Sequence, residues 1–451
     1  MKPIIRPVST LLMGGIYLFT LFFPVPNATV WISLFALIAL VSYYRYLGRV
    51  PKTLITVLIA VALLLDLSVP GLQQFFLGLQ TNVNILAIFI FVPLLSIPIQ
   101  QGNYLTYIET IFSAYVQRTQ RLFLFTTLSA GSIGAVMNIG TLPILYDLTN
   151  TESFRPYSMV RIKALSRGFV LAFMWSPYFI SIGLVLAYFD VRWLQIFPIG
   201  ISIALLVMFI GYLSAGKEDE QIPRTADAPA PDELRLAKRK VLELVAIITF
   251  ITALIMAVEN FTELSVLAII PLTAIAVSVC WTVLISTPSE FIGQFRSYLT
   301  DKVPSMGNEL SIFIVAGAFG TALLNNGAGE AVNFLLEALN ITHVLLLIPA
   351  MMVLMVVTAV LGVHPVITAA ILSITLSNSP AFLDDHLFLS FGLLAAWMAA
   401  ILVSPFSGLN LLLAAISGRS SFQIAFRANP GFALMLWSIC YTVLAVLYFL
   451  L

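Results

Sequence analysis

Four clusters of helix-breaking residues interrupt long apolar segments of this chain, and they fall into two pairs at nearly constant separation. Asn138-Ile139-Gly140-Thr141 in the first half answers Gly362-Val363-His364-Pro365 in the second, and Ser176-Pro177 answers Ser404-Pro405, 228 residues on. Other anchors keep the same order. Ile88-Phe89-Ile90 returns as Ile312-Phe313-Ile314 after 224 residues, and Gln100-Gln101-Gly102 returns as Asn325-Asn326-Gly327 after 225. Thr141-Leu142-Pro143-Ile144-Leu145 returns as Thr368-Ala369-Ala370-Ile371-Leu372 after 227. Proline removes an amide donor and frees a carbonyl that lipid cannot satisfy, so an apolar helix does not break without a reason. Two copies of one unit, each with two breaks, restrict the chain to a repeat fold whose breaks are packed in protein or line a cavity.

The setting is a bilayer. Of 451 residues, 60% are hydrophobic and 10% charged, against roughly 25% charged in a soluble domain. The reading is an all-α polytopic membrane protein of about eleven transmembrane helices. Segments of near-spanning length lie at 8–24, 28–47, 53–69, 83–100, 168–189, 193–214, 240–257, 264–286, 309–326, 385–416 and 430–450. The more polar stretches 103–120 and 328–341 suit helices lying along the interface. The chain thus divides into a first helix within 1–27, a first repeat over 28–214, a hydrophilic linker at 215–240 and a second repeat over 241–451. Lys2 and Arg6 precede an apolar run without a small-residue cleavage site, which reads as a retained first helix. Cys280 and Cys440 sit in apolar segments without ligand spacing and read as packing residues. A net charge of +1 gives no ground for a nucleic-acid partner.

Two further apolar segments, 121–150 and 342–377, are each either one span or a hairpin that enters and leaves on one side, and the cations arbitrate. If both are hairpins, 21 of the 22 Lys and Arg residues share the N-terminal side and only Arg192 lies opposite. If both are spans, the twelve from Arg155 to Lys302 other than Arg192 change sides, Arg192 joins the rest, and 10 of 22 remain. The positive-inside bias selects hairpins, with the linker and the N-terminus cytoplasmic and the C-terminus external. An odd number of crossings between the repeats then inverts one against the other. The hairpin at 121–150 dips in from the cytoplasm, the one at 342–377 from outside, and inverted repeats with broken helices predict a secondary transporter.

Chemistry is expected at the breaks. Asn138 and Thr141 sit at the first tip, behind an inward arm loosened by Ser129-Ala130-Gly131-Ser132-Ile133-Gly134. His364 and Thr368 sit at the second. Ser176 and the run Ser404-Pro405-Phe406-Ser407-Gly408-Leu409-Asn410 mark broken spans whose second halves aim positive N-termini inward. Small residues here also serve close helix packing. His364 is the one histidine at membrane depth, and no lysine, arginine or carboxylate is expected to accompany it. Asp147, near the mouth of the first hairpin, reads as an interfacial cap. Without a carboxylate the midplane suits an anion, held by helix N-termini, hydroxyls and amides, with its charge offset by co-bound cations. Expected substrate contacts are Asn138, Thr141, His364, Thr368, Ser407 and Asn410; expected cation ligands are Ser132, Asn138, Gly140, Ser176, Thr368, Ser404 and Gly408. No cofactor other than co-transported sodium is expected. Nothing resembles a catalytic cluster, so an embedded enzyme ranks below both coupled symport and a proton-coupled exporter or exchanger of an anion or lipid-linked headgroup using His364.

The pattern resembles the ion transporter superfamily, most nearly the divalent anion/sodium symporters. Opposed hairpins, each preceded by an interfacial helix and followed by a broken span, carry the resemblance. In that family the hairpin tips bear a Ser-Asn-Thr motif. Asn138 with Thr141 is similar to a relaxed form of the first, and Thr368-Ala369-Ala370-Ile371-Leu372 to the tail of the second, while His364-Pro365 replaces its Ser-Asn pair. The family's Thr-Pro-Pro-Asn-like breaks are answered by Ser176-Pro177 and Ser404-Pro405. The resemblance implies a bacterial-type inner-membrane homodimer with an elevator-like motion.

Sidedness is directly measurable. Single cysteines placed in 151–166 should label from the same side as those in 217–240, and cysteines in 378–386 from the opposite side. Labelling of 151–166 from outside in intact cells would contradict the hairpin reading.

Overall fold

The computed structural model describes residues 4–65, 67–216, 219–223 and 229–450. Lys2, Lys217 and Arg224, three of the cations used to assign sidedness, and part of the 215–240 linker lie outside the described residues. The described chain is helical. In order come α1 (Ile5–Thr20), α2 (Ala28–Tyr44), α3 (Arg49–Leu65), α4 (Val69–Gly78), α5 (Val83–Phe91), α6 (Ser96–Gln101), α7 (Tyr104–Tyr115), α8 (Thr119–Met137), α9 (Thr141–Leu148), α10 (Ser158–Leu171), α11 (Ile180–Tyr188) and α12 (Trp193–Ala215). The second half holds α13 (Pro231–Phe261), α14 (Val266–Ile285), α15 (Pro288–Ser297), the short α16 (Val303–Ser305), α17 (Gly307–Asn325), α18 (Ala328–Ala338), α19 (Val344–Val360), α20 (Pro365–Leu376), α21 (His386–Val403), α22 (Gly408–Ser417), the short α23 (Ser421–Gln423) and α24 (Pro430–Leu450).

Among the described residues eight helical stretches are long and apolar enough to cross a bilayer, which makes this a multi-pass membrane fold. A count of eleven goes beyond that, since α1, α2 and α3 have only 16 or 17 residues. Two short helices were not legible as such. The segment after α3 restarts as α4, where the Ser68 hydroxyl accepts the Gly71 amide and Pro70 opens the first turn. The polar segment after α14 folds as α15 because Thr287 and Glu290 form a capping box.

Packing fixes the path of the chain at the breaks. Thr127 lies against Ala164 and Gly168, Gly134 lies against Phe169, and the Ala135 carbonyl accepts from Ser176. Rising numbers on α8 thus meet rising numbers from α10 onward, so the two run parallel, and the chain from 138 to 157 must return to the end where α8 began. The short α9 makes that return, and Arg161 near the start of α10 donates to the Tyr146 carbonyl at its end. The same construction recurs in the second half. Ile348 meets Gly392, the Ala359 carbonyl accepts from Ser404, and α20 returns alongside α19 with Thr358 and Thr368 in contact. Gly168 and Gly392 are the points of close approach. A Cβ would meet Thr127 O at 2.3 Å in the first case and Ile348 Cγ1 at 2.7 Å in the second.

The linker closes the base of the first hairpin. Asp219 Oδ1 accepts the Gln120 amide at 3.0 Å, Asp219 Oδ2 accepts from Arg118 Nη1 at 2.9 Å, and the Thr119 amide donates to Glu220 O. The first-turn amides of α8, which lack partners within the helix, are capped by residues a hundred positions away. The Tyr157 hydroxyl donates to Gln221 O, which places the end of the returning strand beside the same linker.

Burial pushes the Asp219 carboxyl up, but the Gln120 amide and the Arg118 guanidinium more than reverse this and hold it below the ordinary carboxylate range. Its folded value is depressed, so its contribution is present above the unfolded carboxylate pKa and lost as pH falls through the folded one. Replacing Asp219 by Ala should remove about 1 kcal/mol of local stability, read as faster hydrogen exchange at the Gln120 amide. In the wild type that amide should stay protected at neutral pH and lose protection as acid protonates Asp219.

Candidate functional site

The hairpin tips converge. A cavity of about 260 Å³ is lined by Asn138, Ile139 and Gly140 from the first tip and by His364, Pro365 and Val366 from the second. The breaks close it further, with Phe179 and Ile180 at the start of α11 and Ser407, Gly408 and Leu409 at the start of α22. Each of these runs opens a helix, so four helix N-termini border one space and make it favourable for negative charge. Ile139 of the first tip lies 3.6 Å from where a Gly408 Cβ would stand, which ties the first hairpin to the second broken span.

Local rules explain the irregular backbone. Asn138 adopts φ 57° and ψ −151°, a sparsely populated backbone outside the left-handed helical region, and its own Oδ1 accepts the Ile139 amide at 2.7 Å. Gly362 takes φ +95° to turn the second tip, and Pro365 opens α20 at the position where a missing N–H costs nothing. His364 caps that helix, with Nδ1 accepting the Val366 amide at 3.3 Å. The neutral imidazole therefore carries its proton on Nε2. Ser407 caps α22 by accepting the Asn410 amide. Among the described residues no acceptor takes the amides of Gly408 or Leu409, and both residues border the cavity.

The predicted residues separate into two groups. Asn138, Gly140, His364, Ser407 and Gly408 line the cavity. Thr141, Ser176, Thr368, Ser404 and Asn410 are buried outside its lining, and Ser176, Ser404 and Asn410 hold the broken backbone together. Ser176 Oγ donates to Ala135 O at 2.9 Å, and Ser404 Oγ donates to Ala359 O at 2.6 Å, the same bond in each repeat. The Asn410 amide donates to the carbonyls of Ile401, Leu402 and Ser404 at the end of α21. Ser181 does the same work in the first half by donating to Phe173 O. Thr368 shares a 2.9 Å hydrogen bond with Thr358, whereas the hydroxyl of its counterpart Thr141 is fully buried without a partner, as is Asn410 Oδ1. Ser132 is exposed on the outer side of α8, bonded to Leu128 O, and is not brought to the cavity.

Two charged residues in the cavity wall were missed. Lys302 and Glu309 line it together with His364, so the expectation that no lysine or carboxylate accompanies the histidine is corrected. Lys302 comes from the turn between α15 and α17 and Glu309 from the first turn of α17, both outside the four broken elements. Lys302 ends a π-helical turn, Tyr298–Lys302, whose Tyr298 hydroxyl donates to Ile90 O beside another break. Such turns concentrate at functional sites. The dipeptide Val303-Pro304 after a Lys was the available signal, since it marks irregular backbone next to a cation. The remaining lining is largely aromatic, with Phe173 and Phe179 4.4 Å apart and Trp397 almost fully buried.

No family model matches the sequence, and no curated protein matches it either. Among solved structures the chain is similar to the Alcanivorax borkumensis YdaH transporter, described as having an unusual topology. The TM-score is 0.56 over 84% of this chain and 89% of that one, at 17% identity. At that identity the likeness concerns the fold, and it does not single out the divalent anion/sodium symporters.

The serine pair gives a test of the internal symmetry. Removing a hydrogen bond and leaving a buried carbonyl unpaired costs about 1–3 kcal/mol. Ser176→Ala should fall in that range, while Ser404→Ala should cost less, near 1 kcal/mol, because Ala359 O also accepts the Gly362 amide. Thermal denaturation of the purified variants in detergent checks the order.

Proposed function

We propose that this protein is a secondary active transporter that carries a small anion across a bacterial-type inner membrane by alternating access, coupled to a cation gradient. The observation that carries the reading is the meeting of two repeat-related hairpin tips and two broken helices around one cavity. Irregular backbone at that depth is tolerated only where it is packed or faces a cavity, and secondary transporters use it for ligands. The fold likeness to a protein titled a transporter agrees with this.

In this reading both hairpins are re-entrant, and the two tips with the two broken spans present four helix N-termini to the anion. Sodium is the coupling ion favoured by the available ligands. One site would form near Asn138, Thr141 and Ser176, where the Thr141 oxygen has no partner, and the other near Thr368, Ser404 and Ser407. The two-site arrangement follows the pseudo-twofold, and a homodimeric, elevator-like cycle is part of the same proposal. A proton-coupled exchanger is the second reading, favoured by His364 in the cavity wall with Nε2 free to exchange.

Reconstitution separates these. Uptake of carboxylates, sulfur oxyanions or phosphonates into proteoliposomes should rise steeply with an imposed sodium gradient. It should fall by about tenfold or more, a loss of one good contact, when Asn138, Thr141 or Thr368 is replaced by Leu. Dependence on a proton gradient alone, abolished in His364→Gln, would select the exchanger. Uptake indifferent to both gradients would refute coupling.

A further inference from the structure

The cavity holds one ammonium and one carboxyl, and their placement bears on the cargo. Lys302 is exposed into the cavity, and among the described residues no hydrogen bond or ion pair engages its ammonium. Its Nζ stands over the bare backbone of the first tip, 3.6 Å from where a Cβ at Gly140 would lie. Any side chain at Gly140 would crowd that approach. An unpaired ammonium beside helix N-termini is a strong anion receptor, because a charge-assisted hydrogen bond adds to the field of the helix ends. Phe173, Phe179 and Trp397 in the same lining offer an apolar face. Glu309 lines the same cavity, and of the lining residues only Lys302, Glu309 and His364 titrate.

We infer that Lys302 is the anion-anchoring residue and that the cargo is a monovalent organic anion with an apolar body, rather than a divalent one. A second anionic group would find no second cation and would face the Glu309 carboxyl, whereas an apolar body finds the aromatic wall. This deepens the transport reading above and rests on it for the word cargo.

The test uses the full-length purified chain and three six-carbon probes: hexanoate, its neutral counterpart hexanamide and the dianion adipate. Thermal stabilisation should saturate with hexanoate at concentrations about tenfold lower than with hexanamide or adipate, the worth of one charged hydrogen bond. Lys302→Gln should melt like the wild type without ligand, since its ammonium has no partner, yet lose the preference for hexanoate over hexanamide. Lys302→Arg should keep it, and Glu309→Gln should narrow the gap to adipate. Equal stabilisation of the wild type by hexanoate and hexanamide, no response to hexanoate, or a Lys302→Gln variant that retains the preference would overturn the inference. Proteoliposomes distinguish its failure from that of the transport reading. Binding of hexanoate that depends on Lys302 without gradient-driven uptake leaves the site and removes the transporter; anion uptake with the same KM in wild type and Lys302→Gln does the reverse.

Discussion

Every carbonyl freed by a helix break inside this apolar bundle has to find a donor, and the arrangement of the four broken elements follows from that requirement. Leaving such a group unpaired in hydrocarbon costs several kcal/mol, so a break persists only where a neighbour supplies the missing bond. Ser176 and Ser404 supply it between a broken span and the hairpin beside it. Ser181 and Asn410 supply it within each broken span, reaching back to Phe173 O and Ile401 O, residues 228 apart. Hairpin and broken span are thereby stitched into one unit in each repeat. The irregular backbone that remains free is the part facing the cavity.

The repeats are equal in this stitching and unequal in their anchorage. The base of the first hairpin is held by Asp219 and Glu220 of the linker and by Arg161, whose guanidinium is fully buried, donates to Thr149, Asn150 and Tyr146, and lies over the Tyr146 ring. A buried cation without a carboxylate partner is unusual. Here the carbonyl end of α9 supplies the negative side of the interaction. The second tip has no such linker contact among the described residues; Leu361, Gly362 and Val363 border an open hollow shared with Arg49 and Leu54 of α3. At the tips themselves Thr358 is available to Thr368, while the corresponding stretch of α8 carries Gly131 and Gly134 and leaves the Thr141 hydroxyl alone.

Much of this architecture was written in the sequence where the signal was a residue that cannot do something. Pro365, Pro177 and Pro405 cannot continue a helix, and Gly362 is there because the turn needs a backbone few other residues adopt. Their regular spacing exposed both breaks of each repeat. Gly168 and Gly392 belong to the same pattern, 224 residues apart, but a glycine that permits helix contact resembles any other glycine until its neighbour is known. What stayed hidden depended on partners distant in sequence. That Ser176 and Asn410 would serve backbone carbonyls rather than the cavity, and that Ser132 would face outward, follows from helix rotation and contacts no local window contains. The short helices α4 and α15 were hidden by length, since their caps are local but their apolar content is too small to register as spans.

The charge inventory of the cavity changes the ground on which an anion is favoured. From sequence, the case rested on the absence of any carboxylate at the midplane site, and Glu309 removes it. What replaces it is positive evidence: an ammonium with no partner among the described residues, standing over the tip of one hairpin, with the amides of Gly408 and Leu409 open at the start of α22. Lys302 and Glu309 lie outside the four breaks, so the breaks build the backbone cradle while the turn before α17 and that helix's first turn bring the fixed charges. A cradle of amides and hydroxyls discriminates little among small anions, because each donor is weakly directional and the space is adaptable. A single unpaired ammonium in a space that also holds a carboxyl discriminates by charge number, since each further negative group meets repulsion in a low-dielectric space where it is only weakly screened. In the proposed reading, selectivity among anions therefore falls to Lys302 and Glu309 rather than to the cradle of the breaks.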